Sequence, residues 1–302
     1  MQPAARKEPV IDTITSVQEM RLHAQRIRAS GASIAFVPTM GFFHEGHLSL
    51  MRLGRELADH VVVSIFVNPT QFAAGEDFEA YPRNPVRDSE LARKAQVDAL
   101  FLPDVKELYP AGFESYVRLD NLSDRMCGRS RPVHFTGVAT IVTKLFNIVR
   151  PTVAIFGQKD YQQWIIIKRM ARDLNMDIDV VGAPTVREPD GLAMSSRNCY
   201  LSREQRIRAR CLYQALTGAQ QSVAAGTRDA DRILHEAVAA IGRHGDVSID
   251  YMVLCDPDTL EEVSEIERPV LMALAVKLGK TRLIDNMLLT PPANSKHQED
   301  PQ

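Results

Sequence analysis

From Ser33 onward the chain alternates between short apolar runs and stretches whose apolar residues recur every three or four positions. The runs are SIAFVP (33–38), HVVVSIFV (60–67), ALFLP (99–103), VAIFG (153–157) and DVVGAPTV (179–186). They are apolar almost throughout, which is how strands read when helices cover both faces of a parallel sheet. Between them, Leu50, Leu53 and Leu57 fall at i, i+3 and i+7, and Val138, Ile141, Val142, Leu145 and Val149 continue the same spacing over three turns. Each set marks one apolar helix face. This alternation predicts an α/β fold, a Rossmann-like doubly wound parallel sheet with right-handed crossovers, whose ligands sit outside the carboxyl ends of the strands.

After about residue 187 the pattern changes. The stretch from Leu201 to Gly226 reads as one long helix, with Ser202 and Gln205 spaced as a capping box and Gly226 as its stop. A second helix is expected over 230–241. Strands at 248–256 and 269–279 then precede 280–289, with a turn at Gly279–Lys280. The expected organisation is a Rossmann-like domain over 1–186, a smaller α+β domain over 187–290 that closes the site, and a tail over 291–302 that carries almost nothing apolar and reads as disordered.

Composition narrows the partners. The 302 residues hold 36 Lys and Arg against 38 Asp and Glu, a formal charge of −2, so no global field points to nucleic acid or an anionic membrane. Affinity for phosphate must be local. The four cysteines (Cys127, Cys199, Cys211 and Cys255) form no CxxC pair, which disfavours a zinc knuckle and a disulfide scaffold. The polar start MQPAARKEPVID lacks the apolar core of a signal peptide, and no run approaches the ~18 apolar residues of a membrane span. A cytoplasmic chain is the expectation.

Four stretches at or after strand ends carry chemistry. In TMGFFHEGHLSL, Gly41 permits a sharp turn, Gly46 permits close approach to the backbone, and His44 and His47 fall at a helix start, where free amides and the helix dipole favour phosphate. The histidines alone allow two readings, a phosphate site or a packed helix cap; a metal pair is weaker because HEGH lacks the one-turn spacing of HExxH. In FVNPTQF, Asn68 and Gln71 suit a small polar substrate, or form an ordinary Asn-Pro turn. In FGQKDYQQW, Gly157 frees the backbone, Lys159 offers a cation and Asp160 a helix cap, unless the charges are a solvated pair. In EPDGLAMSSRN, two serines and Arg197 can clamp a triphosphate or line a polar loop. Their convergence on one crevice favours the nucleotide reading.

The stretches PTMGFFHEGHLSL, SIFVNPTQF, YPRN, SRPVHFTGV, FGQKDYQQ and VREPDGLAMSSRN resemble, in order and over nearly the whole chain, the pantoate:β-alanine ligases of the HxGH nucleotidyltransferase superfamily. The resemblance implies condensation of pantoate with β-alanine through a pantoyl adenylate, with ATP as substrate and Mg2+ as cofactor, and with pyrophosphate and AMP released. It places ATP on Met40, Gly41, Phe42, Phe43, His44, Glu45, Gly46 and His47, on Gly157, Gln158, Lys159 and Asp160, and on Val186, Met194, Ser195, Ser196 and Arg197. His47 takes the proton-donor position, with His44 and Lys159 as its catalytic companions. Gln71 and Gln163 fall on pantoate positions, Gln71 also near β-alanine, with Asn68, Pro38 and Tyr81 beside them and Asp88 as a metal candidate. Gly75 to Tyr81 is the segment expected to close the cleft. Gln158 and Cys127 stand where many relatives carry glutamate. A homodimer is also implied. The nearest rival, an adenylyltransferase of the same superfamily, would keep AMP on its product.

Overall fold

A computed structural model describes residues 11–292. Most of the N-terminal dozen and of the 291–302 tail therefore lies outside the described residues. The chain runs β1 (Asp12–Ile14), α1 (Val17–Ala29), β2 (Ile34–Thr39), α2 (Glu45–Leu57), β3 (His60–Ile65), α3 (Pro85–Lys94), β4 (Ala99–Phe101), the short α4 (Val105–Leu108) and α5 (Cys127–Ser130), α6 (His134–Val149), β5 (Val153–Gly157), α7 (Tyr161–Asp173) and β6 (Asp179–Ala183). It continues with α8 (Arg203–Ala209), α9 (Cys211–Ala224), α10 (Ala230–Gly242), β7 (Val247–Cys255), β8 (Val270–Leu278) and β9 (Thr281–Leu289).

Two compact units result. The first comprises the described residues through Asp124 together with Arg131–Val186 and Met194–Ser196; the second comprises Arg125–Ser130, Arg187–Ala193 and the described residues from Arg197.

In the first unit six strands form one parallel sheet in the order β1-β4-β3-β2-β5-β6. Neighbouring strand residues divide between two cores. Phe36 and Val62 pack with α1, α6 and α7 through Met20, Phe146 and Ile167, while Val37, Val61 and Val63 pack with α2 and α3 through Met51 and Ala92. Burial on both faces explains why these strands read as continuous apolar runs. The expected Rossmann-like sheet is present, with one strand more than the apolar runs indicate. β1 is three residues at the sheet edge, too short for any period, and Asp12 to Ile14 pair with Ala99 to Phe101. Strand order reverses between β2 and β5, so the ends of these two strands, Thr39 and Gly157, flank the crevice where doubly wound sheets bind ligands.

In the second unit β7, β8 and β9 form an antiparallel sheet. Every residue of β8 except Lys277 is buried, as a central strand requires, and Leu212, Leu216 and Val223 of α9 with Ile233 and Ile241 of α10 complete that core. The one long helix expected over 201–226 is two. Ser202 and Gln205 do form the capping box, at 3.2 and 3.0 Å, but the helix breaks at Arg210 between buried Ala209 and Cys211. No glycine or proline marks that break, so the packing on either side sets it.

Arg187 anchors this unit internally. Its guanidinium makes a bidentate pair with Asp285, at 2.6 and 2.9 Å, and lies 4.5 Å over the Tyr213 ring. Asp285 is 1% exposed, so losing either partner would leave a buried charge without its counterion.

Candidate active site

The corner after β2 is built by its turn. Gly41 has φ +82°, and a Cβ there would stand 2.8 Å from Ile65 and 3.1 Å from the Asp88 carboxylate. Phe42 also adopts a left-handed φ, 52°, which an ordinary residue holds only when its surroundings impose it. Asp88 imposes it, because its two oxygens accept the amides of Phe42 and Phe43, each at 2.7 Å, and the residue is 1% exposed. The sequence offers Asp88 as a metal ligand; in the structure both its oxygens tether the turn through the Phe42 and Phe43 amides. Among the described residues no group of three or more His, Cys, Asp or Glu is placed to hold a metal ion.

His44 caps α2. Its Nδ1 accepts the amide of Gly46 at 3.2 Å, and Nδ1 of His47 accepts the amide of His44 at 3.3 Å. With each Nδ1 used as an acceptor, Nε2 is the donor atom of each ring. Burial holds His47 well below the usual histidine pKa, and the neighbouring His44 and Lys159 push in the same direction. The corner therefore sets two imidazole rings at the positive end of a helix, that of His47 held neutral. The space that Gly46 leaves is taken up by the His44 ring, 2.9 Å from where a Cβ would stand, so this glycine makes room for a side chain. Glu45 points outward and pairs with Arg52 at 2.5 Å.

Across the reversal point, Gln158, Lys159 and Asp160 form a single 3-10 turn after β5. Lys159 is mostly buried and lies 3.6 Å from the Asp160 carboxylate. Asp160 occupies the cap position of α7 without accepting a capping hydrogen bond. Gly157 faces open space. On α7, Gln162 turns into the protein and donates to the Leu122 carbonyl at 2.9 Å, whereas Gln163 stays half-buried. Met194 to Ser196 belong to the same unit: the Ser196 hydroxyl donates to the Phe42 carbonyl at 3.2 Å, and the Met194 amide to the Val186 carbonyl at 3.0 Å. Arg197 belongs to the second unit, in the 3-10 turn Ser196–Tyr200.

The Asn68–Gln71 turn sits beside the histidine corner, the Gln71 amide donating to the Met40 sulfur at 3.1 Å. Asn68, which the sequence offers for substrate contact, is 1% exposed and engaged entirely by protein. Its Nδ2 donates to Gln71 Oε1 and the Gly137 carbonyl, both at 3.1 Å, and its Oδ1 accepts the hydroxyls of Tyr109 and Thr70 at 2.9 and 3.0 Å. It orients Gln71. Pro38 is half-buried at the end of β2, and Tyr81 is buried against Phe72.

Sequence reading assigns no role to Arg131, His134, Glu76 or Tyr109. Arg131 reaches Glu76 twice at 2.6 Å, and the Gln71 carbonyl accepts from His134 Nδ1 at 2.9 Å and from Arg131 at 3.3 Å. The available signal was SRPVHFTGV, whose polar residues precede the apolar face of α6. Tyr109 gives no local signal, because its hydroxyl arrives from 41 residues along the chain.

Comparison with known proteins gives one answer. The family model described as pantoate-beta-alanine ligase matches residues 12–288. A pantothenate synthetase from Desulfatibacillum aliphaticivorans is 53% identical over 281 residues, 93% of this chain and 100% of the relative. The crystal structure of pantothenate synthetase from Thermus thermophilus aligns with a TM-score of 0.89 at 42% identity, over 93% of this chain and 100% of that one. That of the pantoate-beta-alanine ligase from Francisella tularensis, complexed with beta-gamma ATP and beta-alanine, aligns with a TM-score of 0.78 at 31% identity, over 92% and 98%. With a strand-order reversal flanked by the HxGH turn and the GQKD turn, and with relatives matched across their full length, the chain belongs to the pantoate-beta-alanine ligase family.

Proposed function

We propose that the corner between β2 and β5 binds ATP, and that it performs the ligation of pantoate and β-alanine by adenylating pantoate. A pantoate carboxylate oxygen attacks the α-phosphorus, forming the acyl–phosphate bond while the bond to the β-phosphate oxygen breaks and pyrophosphate leaves. The neutral amine of β-alanine then attacks the acyl carbon, the bond to AMP breaks, and the amine proton passes to solvent. No protein nucleophile is needed. The difficulty is a carboxylate approaching a polyanion, so positioning and charge stabilisation must do most of the work.

The observation that supports this reading is the pair of His44 and His47 rings at the start of α2, each accepting a backbone amide at Nδ1 and so turning Nε2 into its donor atom, with His47 in electrostatic reach of Lys159. Such donors strengthen their hydrogen bonds as charge grows on the departing phosphate oxygens. In the proposal His47, at the position of the family's proton donor, donates a hydrogen bond from its neutral ring, Lys159 is the fixed cation, Ser195, Ser196 and Arg197 are the phosphate clamp, and Gln71 and Gln163 are the pantoate contacts. Neutral amides can orient pantoate without trapping it electrostatically. Mg2+ would neutralise part of the triphosphate charge. The described residues offer no carboxylate cage for it, so the proposal has it enter on ATP and gives no step to it.

The homodimer and the cytoplasmic location implied by the family belong to the same proposal; no described helix is long and apolar enough to cross a membrane. The test is incubation with Mg-ATP, D-pantoate and β-alanine, following AMP and pantothenate together, with chain mass measured in solution. Equimolar AMP and pantothenate are expected. AMP retained on the product, or nucleotide cleaved without pantothenate, would overturn the ligase assignment.

A further inference from the structure

The Arg131–Glu76 pair does something that the adenylation reading leaves unused. Arg131 is 13% exposed at its side chain, and its Nε and a terminal nitrogen grip the two oxygens of Glu76 at 2.6 Å each. This is the side-on geometry in which a guanidinium binds a free carboxylate. Glu76 comes from a short turn: its Oε2 also accepts the Ala73 amide at 3.1 Å, and its own amide donates to the Ala73 carbonyl at 3.1 Å. Gly75, at φ +84°, lies inside that turn. The guanidinium is held from behind by the Gln71 carbonyl, which also accepts from His134. Arg131 is thus fixed to the main chain of the residue whose side chain the ligase reading places at the reacting acid.

We propose that Arg131 is the carboxylate receptor for the second substrate, and that Glu76 is an internal stand-in which the β-alanine carboxylate displaces. The assignment rests on the ligase reading above and adds to it the residue that selects the amine. Three considerations carry it. A mostly buried guanidinium without a counterion is costly, so a site that must be vacant during adenylation needs an anion of its own; Glu76 supplies one from a turn that can release it. The incoming carboxylate reproduces the same two hydrogen bonds, so the exchange leaves no buried charge unpaired. Finally, a ligand tethered at its carboxylate presents its amine two methylenes away, within a few ångströms of the anchor. Amines without a carboxylate would gain nothing from Arg131 and would leave Glu76 in place.

The experiment separates the two half-reactions. Pantoate-dependent exchange of labelled pyrophosphate into ATP reports adenylation, and capture of the adenylate by β-alanine or by n-propylamine reports the amine site. The native enzyme is expected to prefer β-alanine over n-propylamine by at least roughly 100-fold in kcat/KM, as a site built for a polar group discriminates against its absence. Arg131→Ala is expected to abolish most of that preference and to lower the ratio of ligation to exchange by about the same factor, with Arg131→Lys restoring part of both. Glu76→Gln, which leaves Arg131 without its internal anion, is expected to lower the KM for β-alanine severalfold. A preference that survives in Arg131→Ala, or a β-alanine KM unchanged or raised in Glu76→Gln, overturns the proposal. A native enzyme without pyrophosphate exchange would instead overturn the ligase reading itself.

Discussion

Nδ1 of His47 accepts the backbone amide of His44 at 3.3 Å, and the centroids of the two rings stand 4.1 Å apart. Two cationic imidazoles so close, beside Lys159, would repel one another, and burial already holds His47 well below its ordinary pKa. The working state is therefore a neutral ring that donates from Nε2. His47→Ala is expected to lower pantothenate formation by a factor of hundreds or more, the usual effect of losing a donor to transition-state charge. Because the depressed pKa keeps the free enzyme's ring neutral from mildly acidic pH upward, kcat/KM for ATP is expected to show no loss centred near pH 6.5. A fall in rate as pH rises through that value would show that a protonated His47 is required.

Much of this corner was legible from sequence for a local reason. A β-strand, a glycine turn and a helix start are contiguous, so HxGH places its own imidazoles. The same holds for GQKD after β5. Roles that depend on residues far apart in sequence were hidden. Asn68 reads as a substrate ligand because Asn-Pro at a strand end is polar, yet Tyr109 and Gly137 engage its amide from 41 and 69 residues away. Asp88 reads as a lone acid on α3, and only the fold reveals that its acceptors face the Phe42 and Phe43 amides. β1 and the break at Arg210 lack any signal, since one is shorter than a period and the other follows from packing on both sides.

The Asp88 tether makes a prediction that distinguishes it from a metal ligand. In Asp88→Asn one side-chain acceptor becomes a donor, which then opposes the amide it formerly bound. The cost is expected to be about 1–3 kcal/mol of stability, that of an unsatisfied buried group. The Phe42 turn would loosen, and the KM for ATP should rise. The Mg2+ concentration giving half-maximal rate, measured at saturating ATP, should not change; a large shift in that midpoint would return Asp88 to the metal.

Gly137 tests how closely α6 must approach the Asn68–Gln71 turn. A Cβ at this position would meet the Thr70 carbonyl oxygen at 2.4 Å and the Gln71 amide nitrogen at 2.7 Å. Gly→Ala inside a helix ordinarily gains about 1 kcal/mol. Here the obstruction is main chain, which cannot rotate aside, and overpacking of that kind costs roughly 1–3 kcal/mol. The clash should win. Gly137→Ala is expected to lower the melting temperature, and, because the Gly137 carbonyl also holds Asn68, to raise the KM for pantoate. A more stable variant with unchanged KM would show that the helix can retreat without disturbing Gln71.

His134 carries a pH dependence whose sign follows from its surroundings. Its pKa falls to about 4, chiefly because burial disfavours the charged ring and secondarily because Arg131 stands beside it; the hydrogen bond to the Gln71 carbonyl and the charges of Glu76 and Asp160 oppose the shift without reversing it. In the unfolded chain the ring returns to a pKa near 6.5. Below that value the unfolded state binds a proton that the folded state refuses, so stability falls as pH drops from about 6.5 towards 4 and is fully present above 6.5. Integrating that difference between pH 7 and pH 5 gives a loss of about 1–2 kcal/mol from this residue alone. Urea unfolding at the two pH values is expected to show a smaller difference for His134→Gln than for the native chain, by that amount. The depressed His47 acts in the same direction and remains in both proteins, so the comparison isolates His134. Equal pH dependence in the two proteins would mean that the ring reaches water and titrates normally.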